Sequence, residues 1–261
     1  MPSEGWAESR YFHLDPVTDS ILVGTGITAS LATEWISSTL SPNPPATLDK
    51  GDVNPFDRLM MFSYSSSLDT ASDITQFSAL LLPLSLALDV DSTEYWALGV
   101  LYVEAVTLSY SVKNALKLSI PRYRPYMYYE DTPGSLISEG DFKDSFPSGH
   151  TTMAFTGASL FTYLYGCYHP DSPWRLPLSV GAYSVAVATA ALRVGSGSHF
   201  VSDVLTGAII GSLSGFLVPY LHRKSRVEPS GSGQRVAGQR VSGRGVSIVP
   251  GIDAISLLVR Y

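Results

Sequence analysis

The chain has 261 residues, enough for one substantial domain with or without a tail. Charged residues make up only 15% of it, against about 25% in typical soluble domains, and mean hydropathy is +0.14, which points to a membrane and to spans with polar faces. A net charge of −6 excludes a global basic field for nucleic acid, and the single cysteine, Cys167, excludes a disulfide framework or a cysteine-built metal site.

In chain order, the first stretch, MPSEGWAESRYFHLDP, lacks a basic region followed by an apolar run. It reads as no cleavable signal peptide, so either the first hydrophobic segment does the targeting or the natural start lies further upstream. Six apolar segments follow. Residues 21–33 stop at Glu34, residues 74–88 are short and contain Pro83, and residues 95–116 carry Glu104 at mid-span. An ionisable group there costs a few kcal/mol in lipid unless it faces protein or water, so these three are expected to be helices with one protected face. Residues 151–168, 176–192 and 204–221 are free of Asp, Glu, Lys and Arg, and each has about the length that spans a bilayer. Gly207, Gly211 and Gly215 recur every four residues and predict a helix stripe that a neighbouring backbone can approach closely.

Between these segments, residues 40–55 are rich in Pro, Asn and Asp and read as an exposed connection. Residues 121–147 form the longest central polar interruption, a long loop of a kind that is usually functional or disordered. After residue 221 come HRKSR, a Gly/Ser/Arg-rich stretch and a strand-like last piece broken by Pro-Gly. The expected division is residues 1–16 as a flank, 17–222 as a transmembrane unit, and 223–261 as a flexible basic tail. Arg223, Lys224 and Arg226 place that end in the cytoplasm by the positive-inside rule. Six spans then put the N-terminus in the cytoplasm too, and the loops at 40–55, 117–150 and 193–201 outside.

The outward segments concentrate residues that handle phosphate. KLSIPRYRP, residues 117–125, sets Lys117, Arg122 and Arg124 where a hydrophobic helix ends, and Arg offers a planar fork to phosphate oxygens. In FPSGHTT, residues 146–152, Ser148 is a good N-cap and Gly149 permits close backbone approach. The helix N-terminus there is an anion site, with His150 a proton donor beside it. In LRVGSGSHFVSD, residues 192–203, Arg193 ends one span, and His199 and Asp203, four apart, share a helix face. A carboxylate on one ring nitrogen fixes the tautomer and leaves the other nitrogen free to attack. Taken separately, these clusters also fit a basic membrane anchor, a capped helix and a structural His–Asp pair. Topology places all three on one side, where together they supply what phosphoryl transfer through a covalent intermediate requires.

K-x6-RP at Lys117–Pro125, PSGH at Pro147–His150 and R-x5-H-x3-D at Arg193–Asp203 resemble the three-part signature of the type-2 phosphatidic acid phosphatase superfamily, which also contains vanadium haloperoxidases. The resemblance implies an all-α, six-helix transmembrane bundle with its active site at the outer membrane–water interface. It implies that His199 attacks phosphorus, that Asp203 orients it and that His150 protonates the leaving oxygen. Lys117, Arg124 and Arg193 would hold the phosphate oxygens with Ser148 and the Gly149 amide, and cations would take the place of a metal. Arg122 lies outside the pattern. Leu192 stands where the family usually has Ser, which removes one phosphate hydrogen bond. The implied substrate is a phospholipid or isoprenoid phosphate such as undecaprenyl diphosphate, phosphatidylglycerol phosphate, phosphatidic acid or lipid A, with no cofactor and no nucleic acid. The implied location is a multi-pass protein of the inner (plasma) membrane whose site faces the periplasm or exterior. A soluble acid phosphatase or vanadate-dependent haloperoxidase on the same residues, and a non-enzymatic lipid-binding protein, are the alternatives. His13, His169 and His222 lie in polar flanks without evident partners, and Glu104 either pairs inside the bundle or faces a crevice.

Overall fold

A computed structural model of the chain describes residues 9–39 and 48–224. Among these the protein is all-α: α1 (Pro16–Thr39), α2 (Pro55–Arg58), α3 (Ser66–Leu81), α4 (Tyr95–Ser119), α5 (Gly134–Glu139), α6 (Gly149–Tyr168), α7 (Arg175–Gly195) and α8 (Val201–His222), with short 3-10 turns and no strand. The six long helices correspond to the six apolar segments. A 3-10 run, Leu82–Leu88, prolongs α3 from the point where Pro83 interrupts it. Most of the expected tail and residues 40–47 of the expected connection lie outside the described residues.

α6 is the central helix and packs against α3, α4, α7 and α8, while α1 lies outside against α4. The glycine stripe makes the closest of these contacts. A Cβ on Gly207 would meet the Ser148 carbonyl oxygen at 2.7 Å, one on Gly215 would meet that of Thr156 at 2.5 Å, and one on Gly211 would run into that of Thr152. The three glycines therefore seat α8 on successive turns of α6. On the opposite face of α8, Leu205, Ile209 and Leu213 are exposed, as are Leu22, Leu31 and Trp35 on α1 and Leu176, Val180 and Val187 on α7. Such extended apolar outer faces suit lipid and not water.

Among the described residues, three helices are long and apolar enough to cross a membrane: Ser66–Leu88, Arg175–Gly195 and Val201–His222. α1 and α4, each expected as a span with one protected face, are not among them. The segment at 74–88 gains length from the turn before it. The segment at 151–168 forms α6 but is not among the three: buried Thr151, Thr152, Thr156 and Ser159 give it a polar character, which Thr152 and Thr156 satisfy on the carbonyls four residues before them and Ser159 on the Ser212 carbonyl of α8. A helix surrounded by protein has no need of lipid-like hydropathy.

Candidate active site

The long helices alternate in direction, so the C-terminal ends of α4 and α7 and the N-terminal ends of α3, α6 and α8 meet on one side. The 121–147 segment, expected as an open loop, is laced down there. Arg122 N donates to Lys143 O (2.8 Å), Arg124 N to Phe142 O (2.9 Å) and Ser145 N to Arg122 O (3.0 Å). These bonds fix the end of the first motif against the approach to the second. Tyr126 N, donating to Gly197 O at 2.9 Å, ties the same segment to the α7–α8 turn. In that turn Gly197 has φ +71°, and a Cβ on it would run into the carbonyl oxygens of Phe62 and Ser63. That position requires glycine.

His199 lies at the centre, 1% exposed, just before α8 and not on it. Its Nδ1 donates to the Ser145 carbonyl at 2.7 Å. The Asp203 carboxylate, expected to hold that nitrogen, is 3.8 Å away. The reason is positional. Asp203 is the third residue of α8, and its Oδ2 turns back to accept from the Phe200 amide (2.8 Å) and from Ser145 Oγ (2.5 Å). Ser145 therefore links the two residues, its carbonyl bonded to His199 and its hydroxyl to Asp203. Either way Nδ1 carries the proton, and Nε2 is the nitrogen with the lone pair. Burial, then the positive charge of Arg193, Arg124 and Lys117, pushes the His199 imidazole well below the usual histidine range, so it is neutral near pH 7.

Arg122 is not peripheral. It donates to Asp203 Oδ1 (2.5 Å), Ser202 Oγ (2.7 Å) and Asp57 Oδ2 (2.7 Å), and lies 4.0 Å over the Phe200 ring. Asp57, fully buried, also accepts from the Ser202 amide at 2.9 Å. Burial raises the Asp57 carboxyl, but the donors Arg122, Ser202 and Asn54 outweigh it and hold the group below the usual carboxylate range. Asp57, Ser145 and Ser202 were not singled out in the sequence. Nothing marks one serine or aspartate among many, and only the fold brings them to Asp203.

The cations gather around this frame. Arg193, 3% exposed, donates to Asp69 and to Ser72 Oγ (3.2 Å), while its buried Nε has no hydrogen-bond partner. Arg124 turns to Asp141, with NH2 to Oδ2 at 2.6 Å and Nε to the carbonyl at 3.1 Å. The charges of Lys117, Arg124 and Arg193 reach both His150 and His199. Ser148 caps α6 as expected, its Oγ accepting from the Thr151 amide at 3.4 Å, and its own amide donates to Asp203 O at 3.1 Å. Gly149 opens α6, and a Cβ there would meet Lys113 Cδ at 3.2 Å, which adds a cation outside the motifs. His150 Nε2 meets Asp73 Oδ1 of α3 at 2.6 Å, a partner to which no motif points. A cavity of about 530 Å³ opens beside Lys117 and Lys113, and Glu34, Asn114, Lys143 and Asp144 also line it.

Residues 98–226 match the family model described as the PAP2 superfamily. The chain is 32% identical over 155 residues to a lipid A 1-phosphatase of Porphyromonas gingivalis, across 59% of this chain and 31% of that protein. It is 30% identical over 137 residues to a PA-phosphatase related-family protein of Dictyostelium discoideum, across 49% of each. The chain thus spans 31% and 49% of the length of these two curated relatives. Among crystal structures, a transmembrane PAP2 type phosphatidylglycerolphosphate phosphatase from Bacillus subtilis is 24% identical with a TM-score of 0.48, over 75% of this chain and 94% of that one. LpxE of Aquifex aeolicus is 24% identical with a TM-score of 0.44, over 66% and 98%. All three motifs, from Lys117 to Asp203, fall inside the matched residues, and residues 98–226 form a PAP2 superfamily domain.

Proposed function

We propose that the protein is a membrane lipid phosphatase that hydrolyses a phosphomonoester or diphosphate headgroup through a phosphohistidine at His199, without a catalytic metal. The observation that carries this reading is a buried, neutral histidine, fixed at Nδ1 and ringed by Lys117, Arg124 and Arg193, with the Arg193 Nε–H left unpaired. An unpaired buried donor costs about 1–3 kcal/mol, and a phosphate oxygen would satisfy it.

Nε2 of His199 attacks phosphorus as the bond to the leaving oxygen breaks. The negative charge of the bound phosphate and of Asp73 offsets the burial and the cations that otherwise keep His150 neutral. His150 thus enters the complex with its substrate as imidazolium and gives that oxygen its proton. A water then attacks the phosphohistidine, His150 takes the proton back, and inorganic phosphate leaves with His199 neutral again. Charge on the transferring phosphoryl group is neutralised by the three cations and by the amides at the start of α6. Arg124 and Arg193 already bond Asp141 and Asp69, so phosphate must share or displace these acids on entry.

The apolar outer faces of α1, α7 and α8, and the three helices able to cross a bilayer, support a membrane substrate. The relative named as a lipid A 1-phosphatase is in keeping with it. The unit responsible is residues 17–222, with the site on the outer face and the Arg223–Lys224 end in the cytoplasm. The cavity beside Lys113 and Lys117 receives the rest of the headgroup. The test is phosphate release from a panel of lipid phosphates, including lipid A, phosphatidic acid, phosphatidylglycerol phosphate and undecaprenyl diphosphate. Release from at least one, unchanged by EDTA at low temperature, is expected. Release from none, or release restored only by added metal, contradicts the proposal.

A further inference from the structure

At the other end of α8, the mechanism leaves unused a buried cluster built from three helices. Asp19 of α1, Glu104 of α4 and His222 of α8 bring one ligand atom each within 4.8 Å of one another. Asp19 is 6% exposed and Glu104 4%. Both Glu104 oxygens are buried without a hydrogen-bond partner, although Oε2 faces His222 Nε2 at 3.3 Å. His222 Nδ1 donates to the Val218 carbonyl at 2.8 Å. A carbonyl only accepts, so Nδ1 carries the proton, and in the neutral ring Nε2 presents a lone pair. That lone pair points at Asp19 Oδ1, also 3.3 Å away, and at Glu104 Oε2. Three acceptors facing one another require a proton or a metal cation between them.

The spacing selects the cation. A proton on Nε2 would draw a carboxylate to about 2.7–2.9 Å. Zinc bonds to nitrogen and oxygen run about 2.0–2.2 Å, and two such ligands at a tetrahedral angle stand about 3.3–3.4 Å apart. Both His222 distances match that edge. The Val218 carbonyl on Nδ1 is the outer partner that fixes the tautomer of a metal-bound histidine. We propose that Asp19, Glu104 and His222 form a structural site for a divalent ion of the zinc class, which pins the outlying α1 to α4 and α8. The ion also neutralises two carboxylates in a setting where unpaired charge is costly. Among the described residues, no other group of three or more His, Cys, Asp or Glu side chains has this arrangement. The site lies about 33 Å from His199, the length of the 22-residue α8 at 1.5 Å per residue, so the ion takes no part in phosphoryl transfer.

The test uses the tag-free full chain in detergent, stripped with EDTA, reloaded with Zn2+ or Co2+ and freed of excess. We expect about one Zn2+ per chain by elemental analysis, tetrahedral visible absorption bands for Co2+, and a melting temperature that EDTA lowers and Zn2+ restores. Glu104→Gln and His222→Gln abolish the bound ion and the response of melting to EDTA, while phosphate release at low temperature persists. His13→Gln, outside the cluster, leaves one ion bound. If the unaltered protein holds no more Zn2+ than His222→Gln, or melts identically in EDTA and Zn2+, the proposal is overturned and a proton on His222 occupies the cluster. The Co2+ spectrum and the melting cycle of the unaltered chain decide the matter even where a variant fails to fold.

Discussion

Ser145 holds together two residues of the third motif that sequence reasoning expects to hold each other. Its carbonyl accepts a hydrogen bond from His199 Nδ1–H and its hydroxyl donates one to Asp203 Oδ2. Arg122 and Asp57 hold Asp203 from the far side. Arg122→Ala would leave two fully buried carboxylates without their shared cation, a change that costs about 3–5 kcal/mol. It is expected to lower the melting temperature and kcat together with little change in KM. Unchanged kcat would show that the frame does not position His199. Arg124 lies the other way, paired with the half-exposed Asp141. Asp141→Asn frees that guanidinium for phosphate and is expected to lower KM by about threefold, in line with about 0.2–1 kcal/mol for an exposed pair. A higher KM would mean that Asp141 aims Arg124 and does not compete for it. The pH dependence has a definite sign. A histidine whose value is pushed down is neutral above that value and lost as nucleophile only when acid charges it. After correction for substrate ionisation, the acid limb of kcat/KM assigned to His199 therefore lies below pH 6.5. A limb above 6.5 that belongs to His199 would contradict the buried, cation-ringed geometry.

The elements were legible to different degrees, for physical reasons. The α8 glycine stripe was visible because a four-residue recurrence of the smallest residue has one helical consequence, and each glycine does meet a carbonyl of α6. Gly211→Val drives methyl groups into the Thr152 backbone and is expected to cost about 1–3 kcal/mol or more. Gly181→Ala on α7 meets nothing within 4 Å and is expected to be neutral or stabilising. Melting of the two variants in one detergent distinguishes these outcomes, and equal effects would sink the close-packing account. α6 read as a charge-free segment of spanning length, but its place at the centre of the bundle was not legible, because an absence of charge does not tell burial in protein from burial in lipid. The interruption at 121–147 read as open loop because backbone lacing between residues 20 apart leaves no local signal. Ser145 and Asp57 were hidden for the same reason, whereas Lys117, Arg124, His150, Arg193 and His199 stood out through fixed spacing at helix ends.

At the scale of the molecule, alternating helices collect every motif on one side and leave Asp19, Glu104 and His222 on the other. Hydropathy suggested this two-ended plan, but the pairing of His222 with acids from two other helices is a product of the bundle alone. The plan predicts that, with Cys167 replaced, an impermeant maleimide added to intact cells labels Glu130→Cys, beside the site. Asp171→Cys, in the α6–α7 turn, stays protected. The reverse pattern would invert the topology. The central claim is the covalent chemistry of His199, and the most direct measurement is to trap it. Rapid alkaline quench during turnover, followed by mass spectrometry, should find phosphate on His199, with neither the adduct nor phosphate release in His199→Ala. Sustained release by His199→Ala would contradict the account.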